Sequence, residues 1–330
     1  MENKKKFLNN KKMMIIISVI VILIGYFMIA NIISLLNVSE KKEFSSVENK
    51  IVLIRKNNDE FYWDNLEFLL KKYSKNNNFF IDVLKTDTTG LNFQKDLFEM
   101  ATLVKPKAII LQGFNDENMR KISQNINIPI IFIKNDGDNK SRTTYIGQNN
   151  YSVGQKTIDK LLELSKDSLN IIVLTDDKKD AYKNTTIEGI LSKANKNQNI
   201  ILQEIREINN RYILEVELKK ILRDNQSINT IIATKPYYGI VAAETITRLA
   251  KVNEIKIVAF DQLPKTLDYI EQGLIDLSIY NNQEMLSKEI IKIIEKINKN
   301  EFIGDVYYIK SDIITKENID KIIGDSDEKE

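Results

Sequence analysis

Apolar positions first run together without a break and then split into short blocks separated by stretches of helical period. From Met13 to Leu36 no charged residue occurs, and Ser18, Asn31 and Ser34 are the strongly polar positions. At about 1.5 Å per residue, a run of roughly 20 apolar residues crosses a bilayer core, so the pattern predicts a membrane helix over 13–36. Residues 1–12 form a basic tail carrying Lys4, Lys5, Lys6, Lys11 and Lys12, whereas Lys41 and Lys42 beyond the helix are offset by Glu40 and Glu43. That asymmetry puts the N-terminus in the cytoplasm and everything after Leu36 outside: a single-pass protein of the cell membrane. The rival readings are a cleaved signal peptide, whose apolar region is shorter and ends at a small-x-small site, and a buried soluble helix. Residues 37–49, NVSEKKEFSSVEN, lack an apolar period and read as a tether.

Beyond the tether, short apolar runs alternate with helical patterns. KIVLIRKN from Lys50 predicts a strand, and FYWDNLEFLLKKYSK places Leu66, Leu69, Leu70 and Tyr73 on one helical face. NFFIDVLKT, AIILQG and IPIIFIKND continue as strands, with helices between them. The rhythm restarts at LNIIVLTDD and runs through NIILQEIRE, TIIATKP, IKIVAFDQ and LIDLSIYNN to a closing YYIKSDIIT. Strands buried on both faces and alternating with helices predict an α/β fold of two doubly wound parallel-sheet lobes. Ligand crevices in such sheets lie beyond the carboxyl ends of the strands, which brings Asp261, Asn135, Asp136 and Lys235 toward one cleft.

Composition removes whole classes of chemistry. The chain has no histidine and no cysteine. Ser-His-Asp and Cys-His couples are therefore excluded, as are the usual zinc, copper and haem ligand sets, and no metal or cofactor is expected. Carboxylate pairs such as Asp176-Asp177 and Asp136-Asp138 sit in loops and read as solvated, so the protein is not expected to be an enzyme. No Gly-rich phosphate loop follows a strand. The net charge of +2 gives no field that would attract nucleic acid. The acidic end, residues 324–330, reads as a flexible tail.

Several segments, in order, resemble the type I periplasmic sugar-binding proteins, the ribose and galactose binders that share their fold with the effector domains of lactose-repressor regulators. They are VKPKAIILQG, NINIPIIFIKND, YIGQNNYSVGQ, IIATKPYYGIVAAETI, IKIVAFDQLPKTLDYIEQGLIDLSIYNNQEML and YYIKSDIITKENI. The resemblance implies one lobe from 50–148 plus 282–309 and another from 149–281 plus 310–323. Hinge crossings would fall near Asn149-Asn150, Asn281-Asn282 and Ile309-Lys310.

The same resemblance implies that Asp261 accepts ligand hydroxyls, with an Asx turn or helix cap before LPKTLDYI as the alternative and Thr266 as a competing cap. Asn281 falls where the family has a hinge-side glutamine; its alternative is a turn residue. The sequence departs from the family at three places: Asn135 replaces an arginine, Lys235-Pro236 replaces Asn-Asp, and Asn184 aligns with another arginine. Phe61, Tyr62, Trp63 and Tyr237 are the aromatic residues available for stacking on a sugar ring, with core packing the alternative for Trp63.

The resemblance further implies a small-molecule ligand, a sugar by family, bound between the lobes. The partner would be a sensor histidine kinase or the permease of an ABC importer; a domain kept for protein contacts is a third possibility. A DNA-binding repressor would need a helix-turn-helix where 13–36 lies. Membrane anchoring has a direct check. The full-length chain is expected to pellet with membranes through an alkaline wash, and a chain starting at Glu40 to remain in the supernatant; a full-length chain that washes free would remove the anchor.

Overall fold

A computed structural model describes residues 25, 49–56, 60–86, 91–165, 167–175, 181–208 and 210–320. The expected membrane helix, apart from Gly25, lies outside them, as do most of the tether, Asp176-Asp177 and the acidic tail. Among the described residues no helix is long and apolar enough to cross a membrane. The chain divides into two units, residues 1–50 and residues 51–330.

Two six-stranded sheets organise the second unit. The first has the order β11-β5-β4-β3-β1-β2, built from β1 (Lys50–Lys56), β2 (Phe80–Thr86), β3 (Ala108–Gln112), β4 (Ile130–Ile133), β5 (Thr144–Gly147) and β11 (Val306–Tyr308). The second has the order β12-β10-β9-β8-β6-β7, from β6 (Leu169–Thr175), β7 (Ile200–Glu207), β8 (Thr230–Ala233), β9 (Lys256–Ala259), β10 (Leu277–Asn281) and β12 (Ser311–Thr315). Every described pairing is parallel except that of β10 with β12.

The helices are α1 (Glu60–Lys75), α2 (Leu91–Leu103), α3 (Glu117–Gln124), α4 (Asn150–Leu164), α5 (Ala181–Ala194), α6 (Arg211–Asp224), α7 (Tyr238–Arg248), α8 (Pro264–Glu271) and α9 (Gln283–Asn298).

Strand alternation explains the layering. Successive side chains point to opposite faces. Ile51 and Leu53 therefore pack with Trp63, Leu66 and Leu70 of α1, while Val52 and Ile54 pack with Phe98 of α2 and Met119 of α3. The second sheet repeats this: Ile172 and Leu174 meet α6 and α7, and Ile171 and Val173 meet α4 and α5. Trp63 is fully buried in this core, so it packs the first lobe rather than offering a stacking face.

α4 and α5 touch through glycine. A Cβ on Gly154 would stand 2.1 Å from the Thr186 carbonyl oxygen, and one on Gly189 would stand 2.1 Å from that of Tyr151. Backbone cannot yield as a flexible side chain can, so only glycine permits this approach.

The chain passes between the sheets in three places. After β5 it enters α4, whose Val153, Ile158 and Leu161 belong to the second lobe's core. After β10 it returns in α9, whose Leu286, Ile290, Ile293 and Ile294 complete the first lobe's core beside Trp63. The apolar run 307–315, which alternation alone reads as one strand, divides: Val306–Tyr308 joins β5 and Ser311–Thr315 joins β10. It divides because Ile309 donates its N–H to Gly147 O (2.7 Å) in the first lobe, whereas Ser311 already pairs with Asn281 in the second.

Side chains tie these crossings together. Buried Gln148 donates from Nε2 to Tyr280 O (3.0 Å), and Asn282 donates from Nδ2 to Asp312 Oδ2 (2.8 Å). The Tyr280 hydroxyl is also hydrogen-bonded to Asp312. Burial, then the Asp312 charge, then that hydrogen bond push the phenol up to about 12.

Two measurements check this packing. Gly154→Ala is expected to destabilise the fold by about 1–3 kcal/mol in denaturant unfolding, because the new methyl group forces α4 and α5 apart. The raised Tyr280 pKa means that the folded state holds its proton more tightly than the unfolded chain. Its contribution is therefore complete below the ordinary value of 10.0 and is lost as pH rises through about 12. The stability difference between the wild type and Tyr280→Phe should accordingly shift against the wild type above pH 10.0. Asp312→Asn should lower the Tyr280 titration seen by absorbance, and an unchanged titration would separate the two groups.

Candidate functional site

Both returning helices leave from carboxyl strand ends: α4 follows β5 and α9 follows β10. The Gln148–Tyr280 hydrogen bond joins these ends directly, so the carboxyl edges of the two sheets border the same hinge. This is where open α/β sheets hold ligands.

In the first lobe, the turns after β3 and β4 are packed backbone against backbone. A Cβ on Gly113 would lie 2.2 Å from Asn135 O, and one on Gly137 would lie 2.2 Å from Phe114 O. Asn135 is buried there and donates from Nδ2 to Gly113 O (2.9 Å), while its Oδ1 has no hydrogen-bond partner among the described residues. An unmet buried acceptor costs roughly 1–3 kcal/mol unless a donor arrives. Lys134 has φ 68° and holds Nζ 4.5 Å above the Tyr62 ring and 5.7 Å from that of Trp63. Tyr62 meets Trp63 edge to face at 5.3 Å. The Tyr62 carbonyl accepts from Gln283 Nε2 (2.7 Å), which fixes the start of α1 against the start of α9. Phe61, one residue earlier, is exposed.

Asp136 is drawn away from this group. Its two oxygens accept from Arg142 Nε (2.6 Å) and Nη2 (2.9 Å), and the same guanidinium reaches Asp305 Oδ1 (2.6 Å). Asp138 likewise pairs with Arg120 Nε at 2.5 Å. Both carboxylates staple loops.

In the second lobe, Asp261 lies two residues past β9 and is buried. Its Oδ1 accepts from Leu263 N (3.1 Å) and from the Thr266 hydroxyl. Its backbone N–H donates to Ser278 Oγ (3.2 Å), and that hydroxyl donates back to Asp261 O. Geometry at Oδ1 is thus that of an Asx turn, and Thr266 supports the carboxylate rather than competing with it. Asn281, the last residue of β10, is half-buried, and its Oδ1 has no partner among the described residues.

Lys235 follows β8 and holds Nζ 5.6 Å from the Tyr238 ring. Exposed Tyr237 has φ 70° and is the N-cap of α7 without a side-chain cap bond. Asn184 lies in α5, and its side chain is outside the described residues.

Asn135, Lys134, Tyr62, Lys235, Tyr237, Asp261 and Asn281 therefore share the carboxyl edges, while Asp136 turns to Arg142. The residues that pattern reading missed are Gln148, Gln283 and Asp312. Each is polar at a chain crossing, but the distances that give them roles run between lobes or between helices far apart in sequence.

Residues 51–301 match the periplasmic binding protein domain family. No curated protein matches the sequence. Among solved structures, the chain is similar to GanP, a glucose-galactose binding protein from Geobacillus stearothermophilus, at 20% identity and TM-score 0.76, over 82% of this chain and 98% of that one. An ABC transporter periplasmic solute-binding protein from Actinobacillus succinogenes with bound D-allose aligns at 20% identity and TM-score 0.75, covering 83% and 100%. XylFII aligns at 26% identity and TM-score 0.70, covering 82% and 99%; it has also been solved in complex with LytSN. With the matched span running from the first strand through α9 and so taking in strands of both sheets, this chain belongs to the periplasmic binding protein domain family.

Proposed function

We propose that the protein is an extracytoplasmic solute-binding receptor, held at the cell membrane by residues 13–36, that binds a sugar between its two lobes. Occupancy is passed to a membrane partner such as a sensor kinase. One observation carries the binding reading: Asn135 Oδ1 of the first lobe and Asn281 Oδ1 of the second are both acceptors without a hydrogen-bond donor among the described residues. Hydroxyl donors of a small polyol supply what both lack. A ligand that contacts both lobes binds the closed arrangement more tightly and so shifts the hinge equilibrium. Similar folds in proteins described as binding glucose, galactose, allose and arabinose support the sugar class.

Signalling is supported by the likeness to XylFII, solved with LytSN; the membrane helix expected over 13–36 would be able to pack on a partner's helices. Capture for an ABC importer is the second reading, supported by the ABC transporter binding proteins among the similar folds.

Thermal unfolding of the full-length chain against pentoses, hexoses and their derivatives tests the reading. A ligand at about a hundredfold over its Kd stabilises the native state by roughly 2.7 kcal/mol. With such a ligand, Asn281→Ala is expected to weaken binding by about 0.5–1.5 kcal/mol and to leave unliganded stability nearly unchanged. A panel without any shift would favour a domain kept for protein contacts. Unaltered affinity in Asn281→Ala would remove that residue from the site.

A further inference from the structure

We propose that the amino edge of the first lobe's sheet rests on the lipid surface, with the carboxyl ends of its strands turned away from the bilayer. This inference rests on the membrane anchor of the proposed function.

The pairings of β1, β3, β4, β5 and β11 are all parallel, so their amino ends line one edge. β2 starts at the same edge, because α1 carries the chain back across the sheet and residues 76–79 alone separate its end from β2. β1 begins at Lys50, where the stretch 37–49 ends. A chain of that length reaches about 45 Å when extended, and about 20 Å as a coil. Since β1 lies between β2 and β3, the anchored chain enters this edge in the middle of what those strands carry there.

What they carry is apolar and exposed. Along β2, Ile81 and Val83 pack on the α1 side of the sheet, whereas Leu84 packs on the α2 side with Phe98. Alternation puts Phe80 on that second side, at the edge where α2 ends. Met100, Leu103 and Val104 close α2 at a spacing of three and four, which makes them neighbours on its outer surface. All four residues are exposed, Leu103 to 80%. Phe302, exposed to 90%, stands on the loop into β11 and continues the apolar surface to the far end of the edge. Apolar groups gathered in this way mark a contact surface.

Charge selects the partner. Exposed Lys75, Lys105 and Lys299 and half-buried Lys107 occupy the turns after α1, α2 and α9. None pairs with a carboxylate among the described residues. Glu99 pairs with Lys95 and Asp305 with Arg142, and Glu301 stands beside Phe302. Apolar side chains rimmed by lysines suit the headgroup boundary, where rings and aliphatic chains reach the acyl margin and ammonium groups meet phosphates. A second copy on this face would set lysine against lysine. Tethering makes the lipid contact intramolecular, so a patch too small to hold a free protein on a bilayer is sufficient. Asn135 lies beyond the carboxyl end of β4, at the opposite edge, and the contact leaves it open to solution.

The chain has no cysteine, so one introduced thiol carries a unique label. Full-length Leu103→Cys and the control Asn115→Cys, exposed beyond the carboxyl end of β3, are labelled with pyrene. Both are reconstituted in vesicles of phosphatidylcholine with phosphatidylglycerol. Doxyl-labelled lipid is expected to quench the label at 103 several times more than that at 115. Lys105→Gln combined with Lys107→Gln should weaken the contact about fivefold per charge, with an unchanged unfolding midpoint. Equal quenching at the two positions overturns the inference and leaves the anchor standing. Excimer emission from the label at 103 assigns the face to a second copy and overturns it as well. Labelled chains that do not float with the vesicles overturn the anchor reading itself, and this inference with it.

Discussion

The strands of each sheet run out toward a border where the chain itself changes lobes, and that crossing is the constraint on which the rest depends. A parallel sheet must return its chain over a covering helix, and here two of those helices, α4 and α9, cover the opposite sheet. Neither lobe is therefore a continuous stretch of sequence, and no single cut in the chain separates them. Residues 148, 280–282 and 309–312 lie at the crossings, and hydrogen bonds through Gln148, Tyr280 and Asp312 tie them together.

This arrangement also places the chemistry. Side chains at the carboxyl ends of β4, β8, β9 and β10 meet the hinge because those strands are central and β5 and β10 feed the crossings. Rigid strands, backbone-packed glycine turns at Gly113 and Gly137, and staples such as Arg142 hold them in place. The acceptors left over, on Asn135 and Asn281, are the groups that the proposed solute would contact from both lobes in a closed rather than an open arrangement. No residue of this set needs to react; binding energy that differs between the two arrangements is sufficient for a receptor.

Much of this was legible beforehand. Two-sided burial of strands such as IVLI and IIVL follows from uninterrupted apolar runs of strand length, and the helical faces follow from apolar spacing of three and four. Both are local properties, as are the absence of histidine and cysteine and the charge asymmetry around residues 13–36. The ordered motifs implied the family, and the match over 51–301 bears that out.

Less local matters were open to the sequence only as alternatives. Asp261 read as a ligand contact with a turn residue as the alternative, and Trp63 as core or platform. Space settled Trp63, which Leu66, Leu70 and α9 enclose, and showed that Asp261 Oδ1 makes the turn by accepting from Leu263 and Thr266. Asp136 looked like its neighbour Asn135 until Arg142 and Asp305 were brought beside it, and the run 307–315 looked like one strand until two sheets claimed its halves. Sequence by itself determined what each segment is, since periodicity and charge act over a few residues. Tertiary structure alone decided what each polar side chain does, because its partner stands a few ångströms away in space and up to 221 positions away along the chain.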